Sequence, residues 1–158
     1  MDKTHSMNDN KITLGKEGGP TNRPFSTYGI FFGGGKKNAT EDVSNNTLTI
    51  HGLSVSNGGG QSMIYGGVSG TGAVTGNKVI FNHGTSADAL VGGYTGATDK
   101  DVRGNGVTVA DGTIKDDIIG GWAGVAAGTG TLAENTVAIT GGTIGSYDGG
   151  IVYGARTS

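Results

Sequence analysis

The chain has 158 residues, which suits one domain, and 34 of them are glycine, about three times ordinary usage. Two prolines and the lack of an every-third glycine exclude collagen. Recurrent Val, Ile and Thr at a formal net charge of -2 argue against a disordered chain, and give no reason to expect nucleic acid or an anionic membrane as partner. Without cysteine there is no disulfide staple and no thiolate metal site. The opening residues Met1 to Ser6 carry no apolar core of a signal peptide, and no apolar run is long enough to span a bilayer.

Residues 1–9 read as a flexible N-terminal tail or expression remnant, and 10–158 as one repeat domain. The first element is Asn10-Lys11-Ile12-Thr13-Leu14, an asparagine followed by alternating apolar residues. Phe31-Phe32-Gly33-Gly34 follows, two apolar residues and two glycines. The pair then recurs in strict alternation. Asn46 to Ile50 precedes Ile64-Tyr65-Gly66-Gly67, and Asn77 to Phe81 precedes Leu90-Val91-Gly92-Gly93. Asn105 to Val109 precedes Ile118-Ile119-Gly120-Gly121, and Asn135 to Ile139 precedes a degenerate Val152-Tyr153-Gly154-Ala155. A weaker third element, Gly84-Thr85, Gly112-Thr113 and Gly142-Thr143, lies between the two and predicts a short strand or turn.

The spacings from one asparagine to the next are 36, 31, 28 and 30 residues. Each asparagine segment has the period-2 alternation and β-branched content of a half-buried strand. No segment keeps a helical period. A repeat near 30 residues with two or three short strands is one coil of a solenoid, and is too short for a four-stranded propeller blade. The predicted fold is therefore all-β: a parallel β-helix (β-solenoid) of about five coils of ~30 residues.

Stacking these coils predicts three inward ladders. They are Ile12, Leu48, Val79, Val107, Val137; Leu14, Ile50, Phe81, Val109, Ile139; and Phe31, Ile64, Leu90, Ile118, Val152. The asparagine column has two readings. Each asparagine either takes a left-handed turn conformation or joins a stacked amide ladder. The outward column Thr13, Thr49, Ile80, Thr108, Ala138 is broken twice, which argues against the flat threonine array of an ice-binding face.

Met63 to Gly70 running through Val74 to Asn77, and Asn135 to Gly145 with Ile151 to Gly154, resemble the Gly-rich repeats of bacterial autotransporter adhesin passenger domains, of the form NTVTISGGT…VYGG. The resemblance covers residues 46 to 155 well and 10 to 45 loosely. It implies a right-handed parallel β-helix displayed at the cell surface or outer membrane, or secreted, with its export signal outside this chain. The expected function is that of a non-catalytic adhesin or structural passenger segment, a slice of a longer solenoid. The alternatives are a carbohydrate-active or carbohydrate-binding β-helix protein and an inert spacer.

Chemistry is sparse. Thirteen carboxylates are scattered, so no catalytic residue is expected. Asp116-Asp117 is a tight pair within a repeat and reads as a solvated turn. Asp99, Asp101 and Asp111 read as a solvated acidic edge rather than a calcium site. His51 and His83 fall on adjacent coils, but two histidines without a third ligand make no metal site. No cofactor or metal is expected. The column two places after the first glycine reads Gly35, Val68, Tyr94, Trp122, Arg156. Tyr94 and Trp122 are the candidate ligand contacts. Simple alternation from Leu90 and Ile118 turns them inward, provided the Gly-Gly step does not turn the chain. The expected partner is a host or neighbouring-cell protein or glycan, together with end-to-end self-association through uncapped coils.

Overall fold

The computed structural model describes residues 7–19, 23–26, 31–56, 63–86, 89–124, 128–145 and 149–158. Among them there is no helix, and every strand pairing is parallel. The chain winds as a β-solenoid of about four turns with three sheets running along its axis. The long sheet is built on Lys11–Leu14, Thr47–Ser56, Lys78–Ser86, Gly106–Val109 and Thr136–Ile139. The outer sheet is built on Phe31–Gly35, Ile64–Ser69, Leu90–Thr95, Ile118–Ala123 and Val152–Thr157. The corner sheet consists of four dipeptides, Val43–Ser44, Val74–Thr75, Val102–Arg103 and Leu132–Ala133.

The register is the one the repeat predicts. Ile12 pairs with Leu48, Leu48 with Val79, Val79 with Val107 and Val107 with Val137. The Leu14 and Phe31 ladders hold in the same way through all five strands. Leu48, Ile50, Ile64, Val79, Phe81, Leu90, Val107, Val109 and Ile118 form one buried core between the long and outer sheets. Each such side chain contributes about 1.5–3 kcal/mol by leaving water. The ladders lose their cover in the outermost coils: Ile12 is 37%, Ile139 39% and Val152 45% exposed.

The corner sheet has no counterpart in the expected elements. It lies three residues before each asparagine, and its valines Val43, Val74 and Val102 are fully buried. Between dipeptide and asparagine sits one residue with positive φ: Asn45 (57°), Gly76 (66°), Gly104 (65°) and Glu134 (57°). The left-handed residue is thus the one before the ladder asparagine, and the asparagines themselves follow the second reading. Asn46 Nδ2 donates to Asn77 Oδ1 at 2.8 Å, Asn77 Nδ2 to Asn105 Oδ1 at 3.0 Å, and Asn105 Nδ2 to Asn135 Oδ1 at 3.0 Å. Each backbone N–H donates to the same oxygen, at 3.0 Å in all three steps. The second Nδ2 hydrogen reaches a backbone carbonyl across the corner, as from Asn105 to Val74 O at 2.8 Å. A buried amide with all its valencies used removes the cost of burial and fixes the coil register.

The paired glycines are explained by this ladder. A Cβ on the second glycine of each pair would overlap an asparagine side chain: Gly34 against Asn46, Gly67 against Asn77, Gly93 against Asn105, Gly121 against Asn135. In the degenerate copy that position is Ala155. On the first glycine a Cβ would strike the glycine carbonyl one coil on and, for Gly66, the Lys78 backbone N at 2.8 Å. The outer and long sheets pinch together here, backbone against backbone.

The third sequence element is a short strand. Gly84, Gly112 and Gly142 have positive φ and bend the chain. Thr113–Ile114 then pairs with Thr85 and Ser86 on one side and with Thr143–Ile144 on the other. Stack hydrogen bonds begin ahead of residue 10: Asp9 N donates to Ser44 O at 3.0 Å, and Asn46 Nδ2 to Met7 O at 2.8 Å. Residues 1–6 of the expected tail lie outside the described residues.

Candidate functional site

The outer sheet carries a second cluster on its other face. Tyr65, Val68, Ala89, Val91 and Ile119 are buried there, with Phe32, Met63, Tyr94, Trp122 and Tyr153 packed against them. Ile118 therefore points into the main core and Ile119 away from it, as alternation requires. Beyond Ile119 the alternation breaks. The Cβ directions of Gly120 and Gly121 both aim into the solenoid, at Thr136 and Asn135. That double-inward step shifts the pattern by one place, so Trp122 and its register partner Tyr94 fall on the outer face. Simple alternation would have turned them inward; the pinch reverses it.

The rings on this face form a spine along the stack. Phe32 and Tyr65 are stacked with centroids 5.6 Å apart, Tyr65 and Tyr94 are 6.0 Å apart, and Tyr94 and Trp122 meet edge-on at 5.0 Å. The Arg156 guanidinium ends the spine, 5.1 Å from the Trp122 ring centroid and 5.4 Å from that of Tyr153. Trp122 Nε1 donates to Ser158 Oγ at 2.9 Å. Burial, and secondarily the neighbouring Tyr94, push the Tyr65 phenol well above its ordinary range, so it stays a neutral donor, to Met63 Sδ at 3.0 Å.

Beside the spine lies a groove of about 350 Å3, lined by Met63, Ala89, Asp116, Asp117, Ile119, Trp122 and Arg156. Its residues come from four successive coils. Asp117 is more than a solvated turn residue. Its side chain is 18% exposed, Arg156 Nη1 donates to its Oδ2 at 3.0 Å, and Ile151 N donates to its Oδ1 at 2.8 Å. The carboxylate ties the last strand of the outer sheet to the coil before it. Two carboxylates, Asp116 and Asp117, and the Arg156 guanidinium are the charged groups among the groove's lining residues.

The remaining candidates stay apart. His51 and His83 are register partners with ring centroids 6.4 Å apart, and Asn82 Nδ2 lies 3.0 Å from His51 Nδ1. Asp101 accepts from Thr131 N at 2.8 Å, and Asp111 caps Gly112 N at 2.7 Å. Among the described residues no group of three or more His, Cys, Asp or Glu side chains is placed to hold a metal ion. On the opposite flank, Arg103 and Glu134 form a two-pronged ion pair at 3.0 and 2.6 Å, and the Arg103 hydrogen bond holds the Glu134 carboxyl below its ordinary range. The outward threonine column keeps its register, with Ile80 and Ala138 interrupting it. Compared with family models, curated proteins and solved structures, the chain matches none.

Proposed function

We propose that this chain is a non-catalytic passenger segment displayed at a bacterial cell surface, in which the solenoid is a rigid rod and the outer face of the outer sheet makes the adhesive contact. The observation that carries this reading is the outer column itself. The buried columns repeat one chemistry in every coil, whereas here Gly35, Val68, Tyr94, Trp122 and Arg156 differ from coil to coil and carry aromatic and charged groups beside a groove. Partly exposed aromatics and arginine are the residues that anchor protein interfaces. Surface display and export are what the resemblance to autotransporter passengers suggests.

Binding of the purified chain to arrays of matrix proteins and glycans tests the proposal. The expected result is retention of at least one surface component, with weaker retention of Trp122→Ala. Recognition confined to glycans would favour a carbohydrate-binding segment, and no retention would favour an inert spacer. The same proposal includes end-to-end contact through the outermost coils, where Ile12, Ile139 and Val152 are exposed and strand edges invite pairing. Sedimentation velocity should show mass increasing with concentration; a strict monomer over a wide range would count against that part.

A further inference from the structure

We propose that Asn105–Gly106 is a modification site: water converts the Asn105 amide to a carboxylate when the stack opens at that coil, and the closed ladder withholds the reaction. The proposal goes beyond the adhesive reading and does not depend on it. The residues that follow the ladder asparagines are Lys11, Thr47, Lys78, Gly106 and Thr136, and they pair in one column. The fold does not require the glycine in that column. Gly106 has no positive φ, and the nearest atom to an added Cβ would be Thr136 Oγ1 at 3.0 Å, on a side-chain end that can turn. What glycine changes there is reactivity. A residue without Cβ lets its backbone nitrogen approach the preceding side chain closely, and that nitrogen is the internal nucleophile of asparagine deamidation.

The step balances with water as the only co-reactant. The Gly106 nitrogen gives up its proton and bonds to Asn105 Cγ, and the side-chain nitrogen leaves as ammonia. Water then opens the cyclic imide on one side or the other, leaving aspartate or isoaspartate. In the closed stack neither reacting group is free. Gly106 N donates to Asn77 O at 2.8 Å. Asn105 Nδ2 donates to Val74 O at 2.8 Å and to Asn135 Oδ1 at 3.0 Å, and Asn105 Oδ1 accepts from Asn77 N and Nδ2, both at 3.0 Å. The side chain is fully buried, with Gly93 abutting it. Ring closure therefore waits for a local opening that parts these hydrogen bonds. The product does not fit back. Aspartate lacks the hydrogens that Val74 O and Asn135 Oδ1 receive, and it sets a buried charge against those two oxygens. Isoaspartate lengthens the backbone and takes Gly106–Val109 out of register with Lys78 and Thr136. One opening event is thus recorded covalently, and the stack is weakened midway along.

The other Asn–Gly step of the chain, Asn57–Gly58, lies outside the described residues and serves as a sequence-matched reference. The experiment incubates the whole chain in neutral buffer and in guanidinium chloride, and follows Asn105 and Asn57 by peptide mapping and mass spectrometry. In denaturant the two should convert at similar rates. In buffer Asn105 should convert about a hundredfold or more slowly than in denaturant. Gly106→Thr, measured in denaturant where folding plays no part, should slow Asn105 conversion roughly tenfold or more and leave Asn57 unaffected. Asn105→Asp should lower the urea midpoint or prevent folding. Equal Asn105 rates in buffer and denaturant, or an Asn105 that survives denaturant while Asn57 converts, would overturn the proposal. So would an unslowed Gly106→Thr chain, or an Asn105→Asp chain as stable as the parent.

Discussion

Two columns run the length of this solenoid, and they obey different rules. At the corner, Asn10, Asn46, Asn77, Asn105 and Asn135 repeat one residue without exception. On the outer face, Gly35, Val68, Tyr94, Trp122 and Arg156 share nothing but their register. The corner is closed on all sides: Asn46, Asn77 and Asn105 are fully buried, and a glycine of the preceding coil abuts each amide. On the outer face Val68 is buried, while Tyr94, Trp122 and Arg156 are half-buried. Identity is demanded where a side chain must satisfy two coils at once. Variety is tolerated where it need satisfy only one face, and there the chain has room for binding chemistry.

Substitutions can break or sharpen that contrast. The largest effect is expected at the corner. Asn77→Leu removes the acceptor of two Asn46 donors and takes one of the donors from Val43 O and from Asn105 Oδ1. Two buried donors left unpaired at about 1–3 kcal/mol each are a large fraction of a domain's stability, so urea unfolding should show a strongly lowered midpoint. Gly93→Ala should come close, since its methyl would overlap Asn105, with overpacking typically costing about 1–3 kcal/mol. Next comes the core: Phe81→Ala, in the middle of a buried ladder, should cost about 3–5 kcal/mol. Trp122→Ala should cost less, because the ring is half-buried and its loss falls mainly on Tyr94 and Arg156. The smallest effect belongs to Arg103 and Glu134, both exposed. The Glu134 carboxyl lies below its ordinary 4.5 in the folded chain. Its contribution is therefore complete above that value and lost as pH falls through the lowered one. A thermal-melt series from pH 6 to 3 should accordingly separate Glu134→Gln from the parent only slightly, with the difference closing at the acid end.

Much of this architecture was legible in the sequence. The three apolar ladders follow from period-2 alternation at a fixed repeat, and their register holds strand by strand. The corner sheet was harder to find because a dipeptide has no period to detect. Its trace was a valine or leucine three residues before each of four asparagines, at Val43, Val74, Val102 and Leu132. Two further features lay beyond any local pattern. The outward turn of Tyr94 and Trp122 depends on both glycines of the pinch pointing inward, and strand alternation alone gives the opposite face. The groove gathers Met63, Asp116 and Arg156 from separate coils, and the Asp117–Arg156 pair spans 39 residues.

The asparagine ladder is the central element, because it sets the register, requires the glycines and so turns the aromatic column outward. Its side-chain amide protons can be followed one by one by hydrogen exchange in NMR spectra. The account predicts that the Nδ2 protons of Asn46, Asn77 and Asn105 exchange as slowly as the backbone amides of Val79 and Val107, while those of exposed Asn45 exchange at the solvent rate. Ladder amides exchanging as fast as Asn45 in a chain that remains folded would contradict it.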